Sequence, residues 1–189
     1  MNAPRGKVRI LGGELRGSVL QVGDAPGLRP TPGRVRETLF NWLQPALLGA
    51  RCLDLFAGTG ALGMEALSRG AGEVTFVERD AATARALEAN LRRLGLERGR
   101  VRHADVLDYL AGPSRAHDVV FMDPPFEADL WQAAARQLED GGWLTNDAWV
   151  HVEWPEQSTP EMPANWRLHR EGRAGAVRHA LYRRKGAIG

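Results

Sequence analysis

Cys52-Leu53-Asp54-Leu55-Phe56-Ala57-Gly58-Thr59-Gly60-Ala61-Leu62-Gly63 decides the fold of this chain: a short apolar strand runs into a glycine turn and then into a helix. Residues 51–56 have the length and apolar character of a buried strand. Leu62, Ala66 and Leu67 then recur at helical spacing. Gly58, Gly60 and Gly63 give the spacing G-x-G-x-x-G, and Glu78 closes the next strand, Val74-Thr75-Phe76-Val77. Glycines let a backbone approach a ligand closely, and a carboxylate about 20 residues further on suits a ribose diol. That much fits a nicotinamide dinucleotide equally well. Asp54 shifts the balance, because a carboxylate just ahead of the loop repels a pyrophosphate. A ligand with a ribose and a cationic sulfonium but no phosphate fits better, which is S-adenosylmethionine. Phe56, Thr59 and Arg79 beside these residues complete the candidate pocket, with Asp105 and Val106 placed to reach an adenine.

The same alternation continues outward from this stretch. Spacing predicts a helix over 60–69, a strand over 73–78, a helix over 80–94, strands over 100–104 and 117–122, a helix over 128–139 and a strand over 148–153. Asp80 is a good N-cap, and Ala84, Leu87, Leu91 and Leu94 form the buried stripe of the helix it opens. Asp105 has the same capping role available for a short helix through Leu110. Alternating strands and helices imply a mostly parallel sheet with helices on both faces. Trp166 to Glu171 and Val177 to Arg183 read as an antiparallel hairpin closing one edge. Ahead of the first core strand, residues 8–20 form a small hairpin turned at glycines. Gly27 to Gly33 is a linker, after which Val35, Leu39, Trp42 and Leu43 define a helix with Arg34, Arg36, Glu37 and Asn41 on its other side.

A second motif, Asp123-Pro124-Pro125-Phe126, follows the apolar run Val119-Val120-Phe121-Met122. Each proline fixes its own φ and lacks an N–H, and the residue before a proline is held extended, so the segment is stiff and its carbonyls point outward unpaired. The Asp123 carboxylate and the Pro124 carbonyl offer two acceptors for the two hydrogens of a planar exocyclic amine. Phe126 offers a plate for the attached base, a contact worth roughly 1–3 kcal/mol where such stacking is removed by truncation. Taken alone, the tetrapeptide also fits a proline-rich turn with Phe126 as core filling. In a parallel sheet, ligands sit beyond the carboxyl ends of the strands. Asp54, Glu78, Asp105 and Asp123 all fall at such ends, as one shared cleft requires.

At 189 residues, 43% apolar and 25% charged, the chain fits one α/β domain with a small extension. No run is long enough to cross a membrane and no secretory leader is seen, so a cytoplasmic protein is expected. Cys52 is the single cysteine, and the five histidines lack ligand spacing, so neither a disulfide nor a metal is expected. Charge is unevenly spread: residues 1–50 carry a net +4, 51–102 carry +2, 103–165 carry −10 and 166–189 carry +6. Basic ends suit a polyanionic partner.

The segments Gly12 to Gly17, Leu28-Arg29-Pro30-Thr31, Arg34 to Leu43, Leu53 to Gly63 and Val120 to Phe126 resemble the RsmD family of bacterial 16S rRNA guanine-N2 methyltransferases. The resemblance implies a class I (Rossmann-like) methyltransferase fold with S-adenosylmethionine as donor. It further implies methylation of one guanine of 16S rRNA, conventionally numbered 966, in the 30S subunit or a late assembly intermediate. Asp123, Pro124, Pro125 and Phe126 would then hold the target base. Asp54, Gly58, Gly60 and Glu78 would hold the cofactor. Arg16, Arg29, Thr31, Arg34, Arg36 and Asn41 are the candidates for RNA contact, on an RNA-facing extension spanning residues 1–48, with the catalytic domain at 49–189. A monomer is expected. Related tetrapeptides occur in DNA adenine-N6 and protein glutamine-N5 methyltransferases. A DNA enzyme usually carries a target-recognition domain, and about 50 residues beyond the core are too few for one. A non-catalytic ribosome-assembly factor with this fold would be expected to have lost Asp123 or a loop glycine, and neither is lost.

Overall fold

Apolar runs of four to six residues separated by amphipathic helices give a layered α/β molecule, seen in a computed structural model that describes residues 7–23 and 31–186. The elements in chain order are β1 (Val8–Arg9), β2 (Val19–Leu20), α1 (Gly33–Leu47), β3 (Arg51–Asp54), α2 (Ala61–Ser68), β4 (Glu73–Glu78), α3 (Ala81–Arg93), β5 (Gly99–His103), α4 (Val106–Leu110), β6 (His117–Met122), α5 (Trp131–Asp140), β7 (Leu144–Pro155), β8 (Trp166–Ala174) and β9 (Val177–Arg184). Seven strands form one sheet in the order β5-β4-β3-β6-β7-β9-β8. The first five are parallel, and β9 runs antiparallel to both β7 and β8. The sheet is mostly parallel with an antiparallel C-terminal hairpin, the arrangement expected from the sequence.

The chain winds outward from β3 through β4 to β5, then crosses back to place β6 on the other side of β3. That reversal opens a crevice beyond the ends of β3 and β6, the place where open α/β sheets bind ligands. One core packs α1, α2 and α3 on one face, with Phe40, Met64, Phe76 and Phe121 fully buried; the other packs α4 and α5, with Trp131, Leu138 and Trp143.

The N-terminal hairpin is held by buried polar groups as well as by Val8, Ile10 and Leu20 in the first core. Glu65, buried in α2, accepts from the backbone N–H groups of Leu11 and Gly12 at 2.9 and 2.8 Å and from Arg69 Nε at 2.8 Å. Asn90 on α3 exchanges two hydrogen bonds with the backbone of Gln21. At the other end of the molecule, Glu139 takes a two-pronged hydrogen bond from Arg184 at 2.7 and 2.8 Å, tying β9 to α5.

Three elements depart from the spacing-based expectation. The first core strand stops at Asp54 because the chain turns into the glycine loop. The α5 helix begins at Trp131, after a tight turn over Phe126–Ala128 and a left-handed Asp129 at φ 46°. The β7 strand is twelve residues long, since it pairs with β6 on one side and β9 on the other.

Candidate active site

Residues at the carboxyl ends of the parallel strands build the site. Asp54, the last residue of β3, is buried, and its Oδ2 accepts the Gly63 N–H at 3.0 Å inside the first turn of α2. Burial pushes its carboxyl up to about 7; the Gly63 hydrogen bond opposes this, and the charges of Asp123 and Glu78 add to it. Glu78 ends β4 and accepts the backbone N–H groups of Gly58 and Asp80 at 2.9 and 2.8 Å. Each of its oxygens keeps a lone pair for a further donor. The loop between Asp54 and α2 needs its glycines for two different reasons. Gly60 has φ +79°, and a Cβ there would stand 2.4 Å from Leu87 Cδ2, so packing excludes a side chain. Gly58 has φ +52° and a Cβ there would meet only the Phe56 carbonyl at 3.9 Å, so the space above it is open to a ligand.

Around this loop Phe56 is half-buried and Thr59 is buried, with Thr59 Oγ1 accepting the Ala61 N–H at 3.3 Å. Arg79 is exposed, and its carbonyl lies 3.0 Å from His103 Nε2. Asp105 caps α4, its Oδ1 accepting the Leu107 N–H at 2.8 Å, while Val106 is buried.

β6 delivers the second motif. Asp54 pairs with Phe121 across the β3–β6 ladder, which puts Asp123 two residues further along at the mouth of the same crevice. The Asp123 side chain is half-buried, Pro124 is buried and Pro125 exposed. Phe126 is 40% exposed, with its ring centroid 6.0 Å from that of Trp131. Three residues past Asp123, the ring is left partly open instead of filling the core. A buried carboxylate ending β3, a half-buried one just past β6, an open glycine cradle and Glu78 lone pairs match a ligand that is cationic in the middle and carries hydroxyl donors. They do not match a pyrophosphate.

The candidates for RNA contact separate sharply. Arg16, Arg34 and Asn41 are exposed, and Arg29 lies outside the described residues. Arg36 faces inward: it is 5% exposed, donates to the carbonyls of Thr31 and Arg9 at 3.2 and 3.0 Å, and lies 3.5 Å from Glu65 Oε2. Thr31 is buried as well, with its hydroxyl 3.1 Å from Glu153 Oε1. The expected RNA contacts of Arg36 and Thr31 are therefore corrected to interior ones, because each has a buried carboxylate partner. Sequence spacing pointed past Glu153 altogether. The signal was available, since a carboxylate closing a predicted parallel strand belongs at the same sheet end as Asp54, Glu78 and Asp123.

A family model described as conserved hypothetical protein 95 matches residues 8–183. Ribosomal RNA small subunit methyltransferase D of Escherichia coli strain K12 is 49% identical over 181 residues, covering 95% of this chain and 91% of that protein. The protein of the same name from Haemophilus influenzae is 44% identical over 182 residues, covering 94% of each. Among solved structures, the Escherichia coli protein yhhF superposes with a TM-score of 0.90 at 46% identity, covering 96% of this chain and 99% of that one. A Thermus thermophilus protein superposes with a TM-score of 0.78 at 33% identity, covering 92% and 98%.

Proposed function

This chain belongs to the RsmD family, matched as conserved hypothetical protein 95 over residues 8–183, and from that membership we propose that it is an S-adenosylmethionine-dependent rRNA methyltransferase. Its target is the exocyclic N2 of one guanine of 16S rRNA, the guanine conventionally numbered 966, within a small-subunit particle. The observation that carries this reading is the adjacency of Asp54 and Asp123 at the ends of neighbouring parallel strands, close enough for the charge of one to act on the other. A cofactor cradle and an amine acceptor at one crevice are what group transfer between the two requires.

When bound, S-adenosylmethionine supplies a sulfonium-activated methyl group. The carboxylates of Asp54 and Asp123 would favour a cationic ligand, Gly58 would leave room for it, and the free lone pairs of Glu78 would accept from its ribose. Asp123 and the Pro124 carbonyl accept the two hydrogens of the guanine amine, which draws the nitrogen lone pair out of ring conjugation and aims it. Phe126 stacks on the base, which has to be unpaired or turned out of its helix to reach this depth. With the cofactor held by Asp54, Gly58 and Glu78, its methyl would be the group offered to the amine nitrogen that Asp123 and the Pro124 carbonyl hold in place. The methylated nitrogen is then acidic, and the Asp123 carboxylate takes its proton. Catalysis is mainly positioning and electrostatic preorganisation. Arg16, Arg34 and Asn41 face the RNA.

The test offers labelled S-adenosylmethionine with small subunits lacking the modification, with free 16S rRNA and with duplex DNA. Wild type is expected to label the particle and to yield N2-methylguanine. Asp123→Ala is expected to lose on the order of 100-fold or more in rate, the loss typical when one preorganised group is removed from a reacting centre. Label in adenine or in protein would overturn the assignment.

A further inference from the structure

The C-terminal hairpin sorts its charges onto two faces, and the sorting is not the one its sequence spacing gives. Side chains alternate along a regular strand, so Arg167 and Arg170, three residues apart, would lie on opposite faces. The ladder between β8 and β9 shifts register between Leu168 and Arg170, and His169 has no partner across it. Arg167 therefore pairs with Arg183 and Arg170 with Leu181, two positions that share a face. One inserted residue re-aims a side chain in this way at a β-bulge. The His169 ring lies edge-on to Trp149 of β7 with centroids 4.8 Å apart, which ties the bulge down across β9.

This face is the one that α1 packs on. Leu181 is fully buried in the core it shares with α1, and His179, two residues earlier, stacks on Trp42 of α1 at 5.4 Å. Arg167 and Arg170 stand beyond that contact, exposed on the edge strand of the sheet. Among the described residues, the ion pairs of the hairpin arginines are Arg173 with Glu156, Arg183 with Asp147 and Arg184 with Glu139. Arg167 and Arg170 are left without a carboxylate. The opposite face is mixed in charge, because Glu171 pairs with Ala180 there and Arg173 is held by Glu156 at 2.9 Å.

The cationic face is in line with the crevice. One row of paired residues runs from the first core strand to the edge: Asp54, Phe121, His151, Leu181, Arg170. Neighbouring strands lie about 4.8 Å apart, so Arg170 stands roughly 14 Å from Phe121, just short of Asp123 along β6. A single strand of RNA with one base in the crevice reaches that far with its next few phosphates. The planar fork of arginine matches a phosphate in geometry as well as in charge.

We propose that the α1-side face of the C-terminal hairpin is a phosphate-binding surface for the RNA strand flanking the target base, with Arg167 and Arg170 as its contacts. The proposal rests on the reading of the crevice as an rRNA methyltransferase site. It gives the bulge at His169 a purpose, since a regular strand would turn one of the two arginines away.

The experiment uses the full-length protein as Arg167→Ala, Arg170→Ala, the double variant and Arg178→Ala, the last removing an exposed charge from the opposite face of the same hairpin. Binding to small subunits lacking the modification is titrated against salt, alongside KM for the same particles, the Kd for S-adenosylmethionine and the thermal midpoint. One phosphate contact to a single strand contributes about 0.7 to the slope of log K against log salt, which at roughly 0.15 M is worth about fourfold relative to 1 M. Arg167→Ala and Arg170→Ala are each expected to make the slope shallower by about 0.7 and to weaken binding about fourfold, and the double variant about 15-fold. KM for the particle rises in step, while cofactor Kd and the thermal midpoint stay at their wild-type values. Arg178→Ala keeps the wild-type slope. The proposal is overturned if Arg178→Ala flattens the slope as much as Arg170→Ala does, which would mean that net charge acts irrespective of face. It is equally overturned if the double variant binds like wild type, leaving the two arginines as guards of an exposed sheet edge. Wild type that binds the particles in this salt-dependent way yet methylates no guanine would strike the proposed function and leave the surface standing.

Discussion

Asp54 is a fully buried carboxyl pushed up to about 7, chiefly by desolvation, and no cationic side chain among the described residues offsets it. In the unfolded chain it titrates near the ordinary aspartate value of about 3.9. A carboxyl whose folded value is raised stabilises the fold fully below the unfolded value, and that contribution drains away as pH rises toward the folded one. Between about pH 4 and 7, then, the ligand-free protein loses stability through Asp54. Replacing it with Asn keeps an oxygen for the Gly63 N–H and removes the ionisation. Asp54→Asn is expected to raise the thermal midpoint of the ligand-free protein at pH 8, with the gain over wild type shrinking toward zero by pH 4, while S-adenosylmethionine affinity falls about tenfold or more. Taking the difference between variant and wild type cancels the histidines that titrate in the same window. A pH-independent difference, or a loss of stability at pH 8, would mean that the buried charge is already compensated. On the proposed function, the site is costly in the absence of ligand because it sets anions where a cationic cofactor would sit.

Glu65 shows why elements are harder to read than motifs. In sequence it is a charge in the middle of an apolar helix and Arg36 is a charge on a helix with an apolar stripe, so both look like solvated positions. In space α2 is buried all round, and the pair meets in its interior with Arg69 and two backbone N–H groups also on Glu65. Glu65→Ala would strand two guanidinium groups and the N–H groups of Leu11 and Gly12. Breaking a buried ionic cluster from one side costs roughly 3–5 kcal/mol, which urea unfolding would register; a loss below about 1 kcal/mol would show that the clamp relaxes into water. The alternation of strands and helices was legible, because period-2 and period-3.6 patterns are local. The placement of Asp54, Glu78 and Asp123 at or just past strand ends, and of Gly58 and Gly60 in the turn between β3 and α2, was legible for the same reason. Partners far apart in the chain were not legible: Arg36 with Glu65, and Thr31 with Glu153, are separated by 29 and 122 residues. The length of β7 was hidden for the same reason, since pairing with β6 and β9 extends it beyond its own apolar run.

At the scale of the whole molecule, the crevice and the proposed substrate carry charges of the same sign. Asp54 and Asp123 lie close together, and residues 103–165 hold a net −10, while an RNA brings phosphates toward them. Affinity for a polyanion therefore has to come from outside the crevice, and the basic ends of the chain, +4 over residues 1–50 and +6 over 166–189, are where cations concentrate. Not every arginine there can serve. Arg34 is exposed at the start of α1, one turn from the Thr31 that hydrogen-bonds Glu153; Arg36, two residues on, is spent on Glu65 and backbone carbonyls. The two should separate cleanly in a salt titration of RNA binding. Each phosphate contact to single-stranded nucleic acid contributes about 0.7 to the slope of log K against log salt. Arg34→Ala is expected to weaken RNA binding and make that slope shallower by about 0.7, with the thermal midpoint unchanged. Arg36→Ala is expected to lower the thermal midpoint while the slope of the remaining folded protein stays at the wild-type value. If Arg36→Ala flattens the slope and Arg34→Ala does not, the α1 face turned toward RNA is the opposite one, and the basic N-terminal segment acts on the substrate through the interior rather than across the surface.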